Sequence, residues 1–223
     1  MNRRDFSIQT LGAVGLGLGV GVGAGLPSLA WAQGAEPVEG THYAKLQQAV
    51  PTAAPAGKIE VVEFFWYGCS HCNQFEPYLA AWAAKLPADV AFRRVPVAFR
   101  EVPFGAHQRL YYALEAMGMI PALHGKVFHA MHEEGLKLDQ PGAMADFLVK
   151  QGVDKAKFLS LYDSFSVQTK GRQARTLADA YKIDGVPALG ISGLYYTSVG
   201  MNGSPEKALI TATALINKVR KSK

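Results

Sequence analysis

The chain contains two cysteines, which stand three positions apart in the motif Cys69-Ser70-His71-Cys72. The motif directly follows an apolar run over residues 61–67 that is rich in β-branched and aromatic side chains. Such a run predicts a strand that is buried on both faces and has a central, parallel place in a sheet. Two thiols where a buried strand turns into a helix are typical of a dithiol redox centre. No other feature constrains both the fold and the chemistry as strongly.

The start of the chain, residues 1–32, predicts an export signal rather than part of the fold. Arg3 and Arg4 precede a long apolar segment, and residues 30–32 have the small-x-small pattern that signal peptidase cleaves. The first residues also resemble a twin-arginine signal. A twin-arginine signal, an ordinary secretory signal and an uncleaved membrane anchor are the three alternatives, and cleavage would leave a mature chain that begins near Gln33.

Composition argues against nucleic-acid binding and against a small scaffold that depends on disulfides for its stability. The net charge of +5 is mild and partly concentrated in the C-terminal tail, and no stretch interleaves basic with aromatic residues, so we expect no binding to nucleic acid. A mature chain of this length can bury its own core without a covalent staple. A disulfide that closes a loop of four residues would add only about 2 kcal/mol, so the cysteine pair is better explained by chemistry.

The hydrophobic pattern predicts one α/β domain that is interrupted by helices. An extended lead-in with a short strand near residues 43–47 precedes the apolar run, and a helix is expected from Cys69 to Leu86, bent at Pro77. Further strands are expected at residues 91–99, 188–192 and 195–199, and a last helix from Pro205 to Arg220. Five intervening helices are expected at residues 104–117, 121–134, 141–151, 154–165 and 167–182.

Several motifs together resemble a known family. The apolar strand, the Cys-x-x-Cys motif at a helix start and the later Gly185-Val186-Pro187 resemble the thioredoxin superfamily. The helical insertion, Glu63-Phe64-Phe65, His71 and Gln74-Phe75-Glu76 resemble, more narrowly, the DsbA family of periplasmic thiol:disulfide oxidases. The resemblance covers essentially the mature chain and implies a thioredoxin-like fold with an inserted all-helical domain.

The resemblance also suggests domain bounds, a location and partners. After the signal and an extended segment at 33–57, we expect the thioredoxin-like domain at 58–102 and 183–223, and the helical insertion at 103–182. We expect a periplasmic monomer that needs no cofactor and acts on exported proteins with free cysteines. The family further implies a quinone-linked membrane protein of the DsbB type that restores the disulfide.

The position of Cys69 at a helix start predicts that this thiol ionises easily. Unpaired backbone N–H groups and the helix dipole stabilise a thiolate there, a protonated His71 would add to the effect, and Cys72 should be shielded. Only the reduced form carries the anion, so its stabilisation makes the disulfide a stronger oxidant. A pKa of about 4, chosen from a known DsbA rather than derived from the sequence, would correspond to roughly 4 kcal/mol and 90 mV.

Three charged residues extend the candidate site. The apolar neighbours of Glu63 favour its burial, where the resemblance implies that it relays protons to Cys72; a purely structural carboxylate is the alternative. Glu76 matches an acidic position of the family or is a solvated helix residue. Arg94 matches the family's lysine position, with Arg93 as the alternative.

Val186 and Pro187 are the candidate substrate-binding residues. Pro187 matches the cis-proline of the superfamily, which would let the Val186 backbone pair with an extended substrate; a trans proline at the start of an edge strand is the alternative. The sequence departs from the best-known DsbA motif at Ser70, where that motif has proline. Serine can donate a hydrogen bond that proline cannot, so the resemblance implies the direction of the oxidising effect and not its size.

Two other functions fit parts of the sequence. A reductase or isomerase of the same fold would need a less acidic Cys69. A copper or zinc chaperone could use both cysteines and a histidine, but there is no second cysteine pair. We expect no metal site at His124, His129 and His132, because a helix would spread them around its axis and no carboxylate is expected nearby; they are predicted to be ordinary surface histidines.

Overall fold

The structure is a computed structural model that describes residues 36–222. The predicted export signal, residues 1–32, and its cleavage site lie outside the described residues. Within the described range, none of the helices combines the length and the apolar character that crossing a bilayer requires.

Five strands of the described chain form one mixed sheet. Its strands are β1 (Ala44–Lys45), β2 (Ile59–Phe65), β3 (Val90–Pro96), β4 (Ala188–Ile191) and β5 (Tyr195–Ser198). They lie side by side in the order β1-β5-β4-β2-β3, with β2 parallel to β3 and antiparallel to β4. All seven residues of β2 are buried, which confirms the predicted two-sided burial. The predicted parallel environment is right for β3 and wrong for β4, because β4 runs back along β2 to enter a hairpin with β5.

Eight α-helices complete the described fold. They are α1 (Ser70–Ala83), α2 (Ala106–Ala116), α3 (Ile120–His132), α4 (Pro141–Val149), α5 (Lys155–Tyr162), α6 (Phe165–Ala180), α7 (Val199–Asn202) and α8 (Pro205–Lys221). Helices α2 to α6 lie between β3 and β4 in the chain and confirm the five predicted intervening helices. The short α7 was not predicted, and neither was the kinked segment Glu101–Gly105, in which Val102 leaves the helical conformation with φ −111° and ψ 131°.

Helix α1 ends earlier than the sequence suggests. It stops at Ala83, and the following N–H groups of Lys85 and Leu86 bond back only three residues, in a tight turn. Pro87 follows, and a residue before proline is disfavoured in the helical conformation, so the predicted end at Leu86 was too late. Pro77 lies inside α1 as expected; the predicted bend there stays a prediction.

Alternate residues of β2 face two separate cores. Val62 and Phe64 belong to a cluster with the inserted helices, whereas Val61 packs with α1 and α8. This arrangement holds β2 and α1 in fixed relation, because both are anchored by buried side chains. The first residue of α1 therefore lies just beyond the end of a rigid, buried strand. The domain bounds given above stay a prediction.

Candidate redox site

Cys69 is the N-cap residue of α1. Its backbone is extended, with φ −89° and ψ 115°, and its N–H donates to the Trp66 carbonyl at 3.0 Å, which closes the turn after β2. Gly68 allows this turn, because a Cβ atom there would overlap the Trp66 ring. Cys69 is partly exposed, whereas Cys72 is fully buried one turn into the helix. The two sulfurs are unbonded, so the structure represents the dithiol form.

The two thiols have opposite ionisation behaviour. The hydrogen bond from the Cys72 thiol, the backbone N–H groups of Cys72 and His71 and the charge of His71 lower the pKa of Cys69 to about 6, although partial burial opposes them. The Cys72 N–H lies 3.4 Å from the Cys69 sulfur that accepts it. Burial raises the pKa of Cys72 far above its ordinary value, and the hydrogen bond to Cys69 adds to this effect. Near neutral pH, therefore, Cys69 is the sulfur that ionises.

The lowered pKa of Cys69 stabilises the reduced protein by less than the roughly 4 kcal/mol that a pKa of about 4 would give. Lowering the pKa from 9.0 to about 6 stabilises the dithiol at pH 7 by at most about 1.4 kcal/mol, or about 30 mV, and solvent screening at a partly exposed sulfur reduces it further. The Val186 carbonyl lies 3.5 Å from the Cys69 sulfur and accepts a hydrogen bond that only the protonated thiol can donate. This contact favours the thiol over the thiolate. The illustrative pKa of about 4 is therefore too low for this structure.

Glu63, Arg94 and Glu76 form a charged cluster among the buried side chains. Glu63 on β2 is fully buried, and the Arg94 Nε atom on β3 lies 2.9 Å from its Oε2 atom. Arg94 also donates from Nη2 to Glu76 Oε1 on α1, at 2.6 Å. The strand register explains the choice between the two arginines, because Arg94 pairs with Glu63 whereas Arg93 bonds to Glu60.

The two carboxyl groups of this cluster differ in ionisation. Desolvation raises the pKa of Glu63 to about 8 against the lowering effect of Arg94, and the charge of Glu76 raises it further. Burial also tends to raise the pKa of Glu76, but the interaction with the His124 N–H and the charge and hydrogen bond of Arg94 outweigh it and leave that pKa below its ordinary value. At neutral pH, Glu63 therefore holds a proton while Glu76 is an anion.

His124 is buried rather than on the helix surface, so the prediction for this histidine was wrong. Its Nδ1 atom lies 2.9 Å from the Tyr67 hydroxyl, and its Nε2 atom lies 3.5 Å from Glu76 Oε2. The absence of a nearby carboxylate was also predicted wrongly, because α1 brings Glu76 to the histidine. His132 is partly buried, with Nε2 2.8 Å from the Tyr67 carbonyl; only the exposed His129 fits the prediction.

One group of side chains has the composition of a metal site. Ligand-type atoms of Glu63, Glu76 and His124 lie within 4.8 Å of one another. The guanidinium of Arg94 contacts both carboxyl groups and already supplies positive charge there. A divalent cation would have to displace this arginine, so the cluster is better described as an ion-paired proton site.

Val186 and Pro187 lie in the loop before β4, where the Val186 carbonyl contacts the Cys69 sulfur. The Val186–Pro187 peptide bond is cis, as predicted. An open groove of about 700 Å³ is lined by His71 of the cysteine motif and by Val186, Pro187 and Met201, among others. His71 is exposed at the mouth of this groove. The structure thus brings His71, Val186 and Pro187 close to the partly exposed Cys69, with Cys72 buried one turn further into α1 and Glu63 buried in the strand before them.

The sequence did not point to Tyr67 or His124 as parts of this site. Tyr67 reads as the last residue of an apolar strand, and His124 lies on an inserted helix more than fifty residues away. Their contact depends on how α3 packs against the end of β2. No local pattern in a single sequence carries that information.

A buried strand, a dithiol at the start of the next helix and a cis-proline beside it define a dithiol–disulfide oxidoreductase of thioredoxin-like fold. Residues 60–206 match the model of the DSBA-like thioredoxin domain family, and the chain belongs to this family. Its thioredoxin-like fold with inserted helices and its class of activity, protein thiol:disulfide exchange of the DsbA type, are thereby confirmed.

Proteins of known structure or curated function are similar to this chain over most of their own length. The thiol:disulfide interchange protein DsbA of Azotobacter vinelandii is 49% identical over 181 residues, which cover 81% of this chain and 84% of that protein. A crystal structure of Pseudomonas aeruginosa DsbA has a TM-score of 0.79 at 46% identity, covering 82% of this chain and 94% of that one. The oxidoreductase DsbA of Xylella fastidiosa has a TM-score of 0.78 at 31% identity, covering 83% and 98%.

Proposed function

We propose that the protein donates its Cys69–Cys72 disulfide to exported proteins that fold in the periplasm. The observation that carries this proposal is the contrast between the two thiols: Cys69 is partly exposed with a pKa of about 6, and Cys72 is buried with a raised pKa. A sulfur that leaves readily as a thiolate suits the accessible end of an oxidising disulfide.

The cycle follows from this contrast. A substrate thiolate attacks the Cys69 sulfur of the oxidised protein, a mixed disulfide forms, and Cys72 leaves and takes up a proton. A second substrate thiolate attacks the substrate sulfur of the mixed disulfide and expels Cys69 as a thiolate. The substrate loses two electrons and the Cys69–Cys72 pair gains them. His71, at the mouth of the groove, supplies charge that favours the Cys69 anion.

Glu63 is the proposed proton donor and acceptor for Cys72. Its carboxyl is buried, holds a proton at neutral pH, and its charge when ionised would raise the pKa of Cys72. A buried thiolate is costly unless a proton reaches it promptly. A carboxyl with a pKa near working pH suits that task.

The groove beside Pro187 is the proposed substrate site. Val186 lies next to the Cys69 sulfur, so a substrate strand that pairs with its backbone would bring a cysteine to the dithiol. The proposed partners are therefore unfolded or folding exported proteins with free cysteines. A quinone-linked membrane protein of the DsbB type is the proposed reoxidant, and the protein is proposed to act as a monomer without a cofactor.

The decisive experiment is the equilibrium of the Cys69–Cys72 couple with glutathione, on the mature protein. We expect a reduction potential clearly more oxidising than the about −270 mV of thioredoxin. Ultraviolet absorbance of the Cys69 thiolate should show an inflection near pH 6 that is absent from Cys69→Ser. A potential near that of thioredoxin would overturn the assignment as an oxidase.

A periplasmic reductase or isomerase is the second candidate. A Cys69 pKa of about 6 lies nearer to the about 7 of thioredoxin than to the about 3.5 of a known DsbA, which is the observation that favours it. The glutathione equilibrium separates the two directly. Stoichiometric copper or zinc in the purified protein, without dithiol oxidation, would instead indicate a metal chaperone.

A further inference from the structure

His124 is a buried histidine that the proposed cycle does not use. It lies on α3, and its ring is surrounded by aromatic rings of Phe65, Tyr67, Tyr111 and Phe128, with centroids 5.1 to 6.0 Å away. Packing on this scale leaves the ring little freedom to turn. The orientation of its two nitrogens is therefore fixed by the fold.

The hydrogen-bonding pattern assigns a role to each nitrogen. The Tyr67 hydroxyl lies 2.9 Å from Nδ1, and burial lowers the pKa of His124, so the ring is neutral. The ionised Glu76 carboxylate beside Nε2 can only accept, so the neutral ring carries its proton on Nε2 and accepts from the Tyr67 hydroxyl at Nδ1. Nε2 lies 3.5 Å from Glu76 Oε2, a long charge–dipole contact rather than a short hydrogen bond, and neither atom has a hydrogen-bond partner among the described residues.

We propose that His124 is a positioning residue for the carboxyl pair: its Nε2–H holds Glu76 beside Arg94, so that Arg94 is shared between Glu76 and Glu63. The inference rests on the proposed function, in which the proton held by Glu63 is exchanged with Cys72. Arg94 contacts both carboxyl groups, at 2.6 Å and 2.9 Å, so the position of one affects the other.

The physical consequence concerns the proton on Glu63. Glu76 is 15% exposed, so without His124 its buried oxygen would lose the one N–H that faces it, and the side chain would be free to turn towards solvent. Arg94 would then serve Glu63 alone, and the repulsion from Glu76 would weaken. Both changes make ionisation of Glu63 easier.

The charged and titratable groups around this histidine come from four elements of the fold. They are Tyr67 after β2, Glu76 on α1, Arg94 on β3 and Tyr111 on α2. Arg94 opposes protonation of His124, and Glu76 favours it. A test must therefore read the carboxyl group directly rather than infer it from the overall pH dependence.

The test is a carboxyl ¹³C NMR titration of protein labelled at glutamate, with the Glu63 signal assigned from Glu63→Gln. The wild type should titrate near pH 8. His124→Leu should shift this midpoint down by about one unit. His124→Gln, which keeps a side-chain N–H donor, should shift it by less than half as much. His129→Gln, on the exposed face of the same helix, is the matched control and should not shift it.

Two outcomes overturn the inference: an unchanged midpoint in folded His124→Leu, or an equal shift in the leucine and glutamine variants. If His124→Leu does not fold, Tyr67→Phe replaces it, because loss of the hydroxyl frees the tautomer and should also lower the midpoint. An unchanged midpoint in Tyr67→Phe would then overturn the inference. The wild-type glutathione equilibrium tests the proposed oxidase separately, so either can fail without the other.

Discussion

Two chemically identical side chains in this site differ because of position alone. Cys69 lies at the helix start, where N–H groups point at its sulfur, and Cys72 lies one turn further in, where water does not reach. The motif spacing sets this difference, since a helix places the third residue after its cap inside the first turn. Ser70 is the first residue of α1, directly after Cys69, so a substitution there tests how the start of the helix is stabilised.

We expect Ser70→Pro to stabilise the reduced protein by about 0.5 kcal/mol. Ser70 is the first residue of α1, a position that suits proline, and Cys69 already has the extended backbone that a residue before proline requires. Urea unfolding of the reduced protein measures the change. Ser70→Ala is the control, since it removes the hydroxyl without restricting the backbone. A proline variant no more stable than the alanine variant would contradict the prediction.

Glu63 should make stability depend on pH in the direction opposite to most carboxyl groups. Its folded pKa of about 8 lies above the unfolded value of 4.5, so between these values the folded state holds a proton that the unfolded state has lost. This contribution is neutral below about pH 4.5, and it lowers stability as pH rises towards 8. We therefore expect Glu63→Gln to gain stability over the wild type across this window, by up to about 1.4 kcal/mol per pH unit.

Urea unfolding at pH 5 and pH 8 measures that difference. Glu101→Gln, an exposed carboxylate, is the control and should give the same difference from wild type at both values. If the Glu63→Gln difference is equally independent of pH, Glu63 is ionised in the folded protein throughout, and the proposed proton role is lost with it.

At the scale of elements, the β4–β5 hairpin depends on one glycine. Gly193 has a φ of +65°, and a Cβ atom there would overlap the Val50 carbonyl of the lead-in segment. The Val50 N–H also donates to the Gly193 carbonyl at 2.8 Å. The turn and the lead-in segment are therefore packed together at this residue.

We expect Gly193→Ala to lower the free energy of unfolding by more than about 2 kcal/mol, from backbone strain and the overlap with Val50. Gly200→Ala is the matched control. Its Cβ atom would meet only the Ser198 hydroxyl at an ordinary 3.7 Å, and alanine favours the helical conformation of α7. Thermal unfolding compares the two, and equal effects would show that the close approach at Gly193 is unimportant.

At the scale of the molecule, the inserted helices share their core with the sheet. The Phe65 ring of β2 contacts Tyr111 on α2 and Phe128 on α3, and all three belong to one buried cluster. An insertion that completes the core of the sheet cannot unfold without exposing that core. We infer that the two parts unfold together.

We expect one urea transition, with tryptophan fluorescence and far-ultraviolet circular dichroism giving the same midpoint. Phe128→Ala should lower both midpoints together, for a loss of about 3 kcal/mol or more, because its ring is fully buried. Phe165→Ala is the control, since that ring is 77% exposed. Separate midpoints for the two probes would mean that the insertion is an independent unit.

The elements of the fold were largely predictable because their signals are local. Apolar runs identified the strands, and glycines marked the ends of the inserted helices. Pro205 and its neighbours marked the start of α8. The errors arose where a distant contact or a following residue sets the structure. Examples are the antiparallel pairing of β4 with β2 and the end of α1 before Pro87. The cysteine pair was predictable because both thiols lie in one helical turn.

The sequence by itself determined the dithiol at a helix start, the buried strand before it and the inserted helices, because these depend on neighbours within a few positions. Tertiary structure alone decided that Arg94 lies between Glu63 and Glu76, and that His124 reaches Glu76 across from α3. Those contacts join four separate elements, three of them consecutive in the chain and the fourth, α3, distant from them. Their ionisation depends on burial and on charges a few ångströms away, and packing in three dimensions sets both.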